Sequence, residues 1–160
     1  MKLSRSNPVV EEKDIKRNRL LCVESHTNKV YINLSALTKC EIVGNHLRYL
    51  GTNFVLDIDL SNAPDMAIKE KLIAHFEKAV NTNVEEHHTI HFKDRISDDY
   101  LSTRVITAFS YGVTNVKVQT QNEVLFYEIS QQELLQLLQE NFTIIETVKV
   151  GLFRLMKTQR

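Results

Sequence analysis

Apolar and polar residues alternate along the chain in short stretches separated by Gly, Asn and Asp, and twice the spacing lengthens to that of a helix. Residues 19–25 and 29–34 predict a hairpin around His26-Thr27-Asn28, with β-branched and aromatic side chains on both arms. Residues 40–43 and 46–50 predict a second hairpin across Gly44-Asn45, two residue types that tolerate positive φ. After Gly51-Thr52 the alternation is cleanest: Phe54, Leu56, Ile58 and Leu60 point to one face, and Val55, Asp57 and Asp59 to the other. Such a strand covers a core on one side and meets water on the other.

Pro64 and Asp65 suit the first turn of a helix in which Ile68, Leu72, Ile73, Phe76, Ala79 and Val80 form an apolar stripe, ended by Asn81-Thr82-Asn83. Residues 84–94 predict a strand and residues 95–99 a break. Residues 100–111 fit two periods. Leu101, Thr103, Val105, Thr107, Phe109 and Tyr111 alternate, and their β-branched content favours a strand after a helical turn over a helix capped by Ser97. A hairpin over 115–120 and 123–129 follows, across Gln121-Asn122. Ser130-Gln131-Gln132-Glu133 is a capping box opening a helix striped by Leu134, Leu135, Leu137 and Leu138. Residues 143–155 predict one long final strand, with Ile144, Val148, Val150 and Leu152 on one face. Residues 1–17 are polar and aperiodic: an arm, or a short helix capped by Asn7 before Pro8.

Two stretches echo each other. Aligned at Asn53 and Asn122, N-F-V-L-D-I-D-L-S matches N-E-V-L-F-Y-E-I-S, and each follows a short alternating segment and precedes a helix and a strand. The expectation is an α+β fold of mostly antiparallel sheet with two or three helices, built on a pseudo-duplicated hairpin–helix–strand unit. Residues 18–160 then form one compact domain, with pseudo-halves at about 29–95 and 100–155. The helices either cover one face of a joined sheet, or each half contributes its own smaller sheet.

Composition narrows the function classes. Lys plus Arg and Asp plus Glu both total 20, so no global charge draws the chain to nucleic acid or anionic lipid. No apolar run approaches the roughly 18 residues of a membrane span, and the N-terminus has no apolar h-region, which predicts a cytoplasmic protein without a membrane partner. Cys22 and Cys40 lack C-x-x-C spacing and fit reduced thiols, the alternative being one disulfide between them.

Candidate chemistry is sparse. His87, His88 and His91 near Glu85 and Glu86 invite a metal, but on a strand His87 and His91 stand about 13 Å apart and His88 points the other way, so a solvated strand surface is expected. Asp57 and Asp59 share a strand face about 6–7 Å apart, and the second copy keeps only Glu128 with Phe126 in place of Asp57, so a wet strand face is expected there too. G-x-S-x-G, G-x-G-x-x-G and G-K-[ST] motifs are absent, and no cofactor is expected. Arg48, Tyr49, Lys93, Lys117, Lys149 and Arg154 on strands, with Arg19 in a basic cluster, are the candidate nucleic-acid contacts. A meander sheet also leaves edges for pairing, and the 143–155 strand at an edge would extend a sheet across a two-fold axis. The favoured function is a non-enzymatic protein-interaction module (adaptor, immunity or assembly factor) acting through a sheet edge or face, its partner another protein or a second copy. A nucleic-acid-binding regulator is the alternative, and a metal-dependent hydrolase using Asp57 and Asp59 a weaker one.

Overall fold

The computed structural model describes residues 17–61, 67–82, 84 and 87–156. The expected N-terminal arm or helix and the Pro64-Asp65 helix start lie outside them. Among the described residues, twelve strands and two α-helices follow in order: β1 (Arg19–Glu24), β2 (Lys29–Asn33), a 3₁₀ turn (Leu34–Ala36), β3 (Leu37–Val43), β4 (His46–Gly51), β5 (Phe54–Asp59) and α1 (Ile68–Val80). Then come β6 (Thr89–Lys93), β7 (Asp98–Ser102), β8 (Ile106–Tyr111), β9 (Val116–Thr120), β10 (Val124–Tyr127), α2 (Gln131–Asn141), β11 (Thr143–Lys149) and β12 (Leu152–Met156).

The strands form a six-stranded sheet in the order β10-β9-β8-β2-β1-β11, a four-stranded sheet β12-β5-β4-β3, and the β6-β7 hairpin. Pairing is antiparallel except between β1 and β11, which are parallel. Mostly antiparallel sheet with helices packed on it agrees with the α+β class expected.

The six-stranded sheet is the middle layer. Leu21, Val23, Val30, Ile32 and Ala108 face one core, shared with Tyr49, Leu56 and Ile58 of the four-stranded sheet and Ile68 and Leu72 of α1. Leu20, Cys22, Tyr31 and Phe109 face the opposite core, shared with Ile90 and Phe92 of β6 and Leu134 and Leu138 of α2. The apolar run Leu20-Leu21-Cys22-Val23 is therefore buried on both faces, which is why β1 shows no alternation. The helices cover opposite faces of the central sheet rather than one face or two separate small sheets. Cys22 and Cys40 are free thiols, and burial pushes both up from the ordinary thiol range.

Four expected elements change. The expected break at 95–99 shrinks to a turn in which Asp94 Oδ1 accepts from the backbone N–H of Ile96 (2.9 Å) and Ser97 (2.7 Å), and β7 already begins at Asp98. The expected strand over 100–111 is split between β7 and β8 by a turn at Thr103. Asn33 Nδ2 anchors that turn by donating to the carbonyls of Thr103 (3.3 Å) and Ile106 (2.8 Å). The expected final strand is also two strands. Val150 N–H donates to Glu24 O (2.8 Å), ending β11 beside β1, and Gly151 turns the chain into the other sheet, where Leu152 is exposed. Of the strand expected over 84–94, the described residues show β6, Thr89–Lys93.

Registers recur at the offset that aligns Asn53 with Asn122. Leu37↔Gly51, Cys40↔Tyr49, Leu47↔Ile58 and Tyr49↔Leu56 reappear as Ile106↔Thr120, Phe109↔Val118, Val116↔Tyr127 and Val118↔Leu125. The bulge in β3 before Lys39 reappears in β8 before Ala108; at each, a threonine hydroxyl bonds the facing strand, Thr38 to Leu50 O (3.2 Å) and Thr107 to Gln119 O (3.0 Å). The β1-β2 pairing Leu20↔Asn33 likewise reappears in β6-β7 as Thr89↔Ser102. After the helices the match ends: β6 pairs antiparallel with β7, and β11 parallel with β1.

Candidate functional site

Cross-strand register builds the most organised polar cluster among the described residues. Leu47, Tyr49, Leu56 and Phe153 face the core, so their strand neighbours form the outer face of the four-stranded sheet. There Glu41, Arg48, Asp57 and Arg154 stand opposite one another across β3, β4, β5 and β12. The next rung is Val43, His46, Asp59 and Leu152.

Charges alternate along the first rung and tie it together. Asp57 Oδ1 meets His46 Nδ1 at 2.8 Å, and Oδ2 lies 3.5 Å from Arg48 Nε and 3.7 Å from Arg154 Nη2. Arg48 Nη1 reaches Glu41 Oε2 at 3.5 Å, and Lys39 Nζ reaches Glu41 Oε1 at 3.0 Å. Hydrogen bonding from Lys39, then from Arg48, holds the Glu41 carboxyl below the ordinary carboxylate range. Asp59 is held low by the hydroxyl and backbone N–H of Ser61, at 2.5 Å and 2.9 Å.

Asp57 is 3 % exposed, not the wet carboxylate expected, because His46, Arg48 and Arg154 lie over it. Val55 on the same face is buried as well. Two of the charges remain imperfectly matched: Asp57 Oδ2 and Arg48 Nε are buried without a hydrogen bond, their 3.5 Å separation supplying attraction but not bond geometry. Such groups cost about 1–3 kcal/mol each. The partners on the rim are open, Arg154 keeping 67 % of its side-chain surface and Lys39 lying exposed. Val43 and Leu152, at either end of the second rung, are exposed aliphatics.

The seven residues expected to contact nucleic acid do not share a surface. Arg48 and Arg154 join the rung over Asp57. Tyr49, one position from Arg48, points the other way: it is fully buried, donates its hydroxyl to Leu72 O at 2.5 Å and stacks on Phe76, so its ring has no free face for a base. Lys93 is exposed on β6 opposite Asp98. Lys117 lies half-buried on β9 opposite Phe126, Arg19 on β1 opposite Thr143, and Lys149 on β11 opposite Glu24.

The histidines separate too. His87 Nδ1 meets Asn18 Nδ2 at 3.1 Å, and His91 stacks flat on Tyr100 with Nε2 2.5 Å from Asp98. Desolvation first, then the Arg104 and His88 charges, hold His87 below the ordinary imidazole range. Asn18 also donates to the fully buried Thr103 hydroxyl (3.0 Å), which in turn accepts the His88 N–H (2.9 Å). Among the described residues no three His, Cys, Asp or Glu side chains converge as metal ligands, and no helix is long and apolar enough to cross a membrane.

Sequence reasoning passed over Glu41 and His46, although the signal was present. Two-residue turns at 44–45 and 52–53 fix Glu41 opposite Arg48 and Arg48 opposite Asp57. Arg154 carried no such signal, since its place depends on a strand nearly a hundred residues away. No protein-family model, no curated protein and no solved structure matches this chain.

Proposed function

We propose that this protein is a non-enzymatic interaction module, an adaptor, immunity or assembly factor, that docks a protein partner on the outer face of its four-stranded sheet. The alternating Glu41–Arg48–Asp57–Arg154 rung, flanked by exposed Val43 and Leu152, is the observation that carries this reading. The internal pairs hold Arg48 and Arg154 in fixed places, and the open guanidinium of Arg154 and ammonium of Lys39 present two cations to a partner's carboxylates. Aliphatic contacts at Val43 and Leu152 supply the water-excluded rim that makes such pairs count. Affinity capture of the wild type from the native cell is expected to yield one stoichiometric protein, lost with Arg154→Glu and with Leu152→Asp. Capture unaffected by both variants would sink the assignment of this face.

We also infer that residues 19–61 and 88–130 are two copies of one unit, beginning earlier than the halves at 29–95 and 100–155 and stopping before the helices. The recurring registers, the paired threonine bulges and the matching turns support it. In those turns Ser25 N donates to Asn28 O at 2.8 Å, as Asp94 N does to Ser97 O at 2.9 Å. A relative of this chain carrying the bulge in only one block, without an insertion to explain it, would refute the duplication.

A further inference from the structure

The two meanders differ in what lies beyond their last strand. The free side of β5 is covered by β12, whose Leu152, Arg154 and Met156 stand opposite Asp59, Asp57 and Val55. β10, which matches β5 register for register, is an edge of the six-stranded sheet.

Its hydrogen-bonding groups can be assigned by alternation. Thr120 N–H donates to Glu123 O at 2.9 Å, so Glu123, Leu125 and Tyr127 turn their backbone groups toward β9, and Val124, Phe126 and Glu128 turn theirs outward. Glu128 agrees: its outward N–H is taken by Asp94 Oδ2 at 2.7 Å. Val124 and Phe126 thus present their N–H and C=O groups at the edge.

Every other described edge strand carries a guard against pairing. β3 has its bulge with Lys39 and Glu41, β11 a register shift with Glu146 and Lys149, β12 has Arg154, β6 has Lys93, and β7 has Asp98 and Asp99. β10 reads Val-Leu-Phe-Tyr, with no charge, bulge or proline, and Phe126 is 56 % exposed. Those are residues of high strand propensity left at an open edge.

We propose that β10 pairs with β10 of a second copy, antiparallel about a two-fold axis at Leu125, joining the two six-stranded sheets into one. In this register Val124 lies opposite Phe126 of the second copy and Phe126 opposite its Val124, which uses all four outward N–H and C=O pairs. Both are aromatic–β-branched contacts, the kind that stabilises cross-strand pairs. Leu125 meets its own counterpart on the other face. Asn122 falls opposite Glu128, so no like charges oppose, and the Asp94 contact to Glu128 stays in place. An isologous contact of this kind closes at two copies and does not propagate. A four-residue strand buries little surface, so the dimer is a weak, concentration-dependent one. The site lies on a different sheet from the Asp57 rung and stands or falls separately from the docking reading.

Sedimentation of the full chain from dilute to millimolar concentration is the test. A monomer–dimer transition is expected, with the Val124 and Phe126 amides becoming protected from hydrogen exchange as the dimer forms. Phe126→Pro removes an outward N–H that the monomer does not use, and Phe126→Lys puts a charge opposite Val124 of the second copy; both are expected to abolish the transition with unchanged circular dichroism. Arg154→Glu is expected to leave it intact. A monomer at every concentration, or a dimer that survives Phe126→Lys, overturns the proposal. So does protection of these amides only when another protein is added, which would give the edge to a heterologous strand.

Discussion

Replacing Asp57 by Asn tests the physics of the rung most directly. The change keeps the shape and one carbonyl for His46, and removes the charge that Arg48 and Arg154 approach at 3.5 Å and 3.7 Å. At an effective dielectric near 20, each such contact has a gross attraction of about 5 kcal/mol. Arg154 is two-thirds exposed and Arg48 one-third, so water screens most of it, and about 1 kcal/mol from Arg48 and less from Arg154 survives. Converting the charge-assisted His46 contact to a neutral one costs about 1 kcal/mol more. The net expectation is a loss of about 2 kcal/mol, read as a fall of about 4–8 °C in Tm. Urea unfolding of D57N, Arg48→Met, Arg154→Met and the double variants gives the coupling by double-mutant cycles. Asp57 is expected to couple to Arg48 more strongly than to Arg154, and Asp59→Asn, which weakens only the exposed Ser61 hydrogen bonds, to lower Tm less than D57N. A D57N protein within about 0.5 kcal/mol of wild type, or coupling larger to Arg154, would refute the view that burial governs these pairs.

Thr107→Val is expected to cost about 1–2 kcal/mol, because its fully buried hydroxyl bonds Gln119 O, and Thr38→Val at the matching exposed bulge less than about 0.5; equal losses in urea melts would argue against burial as the cause. Ser130→Ala removes the hydroxyl arm of the capping box on α2, leaving the Glu133 carboxylate on the backbone N–H of residue 130, and is expected to cost about 1 kcal/mol by thermal unfolding, an unchanged Tm counting against it. His87 binds its proton less readily folded than unfolded, so stability is complete above the ordinary imidazole pKa of 6.5 and falls as pH drops through that value toward the depressed native one. Asn18, Arg104 and His88 face the ring, and His87→Gln is expected to flatten the slope of urea midpoint against pH between about pH 7.5 and pH 5; an unaltered slope would contradict it.

Local rules were readable in the residues because their causes lie within a few positions. Gly44 adopts φ 59 at the turn where Gly-Asn predicted it, Ser130 and Glu133 close the predicted capping box, and the Asn53–Asn122 echo maps onto strands in matching register. Phe54, Leu56 and Ile58 are buried as their alternation requires. Alternation also puts Tyr49 inward beside Leu47, against its expected nucleic-acid role, but it misled at Asp57. It assigns a side chain to a face and says nothing of what covers that face, and here Arg154 arrives from β12 to cover Asp57.

The partition of 143–155 between two sheets, the parallel pairing of β11 with β1, and the placement of α1 and α2 on opposite faces all depend on contacts distant in sequence. Periodicity and capping are properties of a short peptide, so they were legible in the chain alone. Which strand lies beside which is decided when apolar faces compete for a shared interior, and a continuous apolar run such as Leu20-Leu21-Cys22-Val23 acquires two buried sides only once both cores have assembled around it.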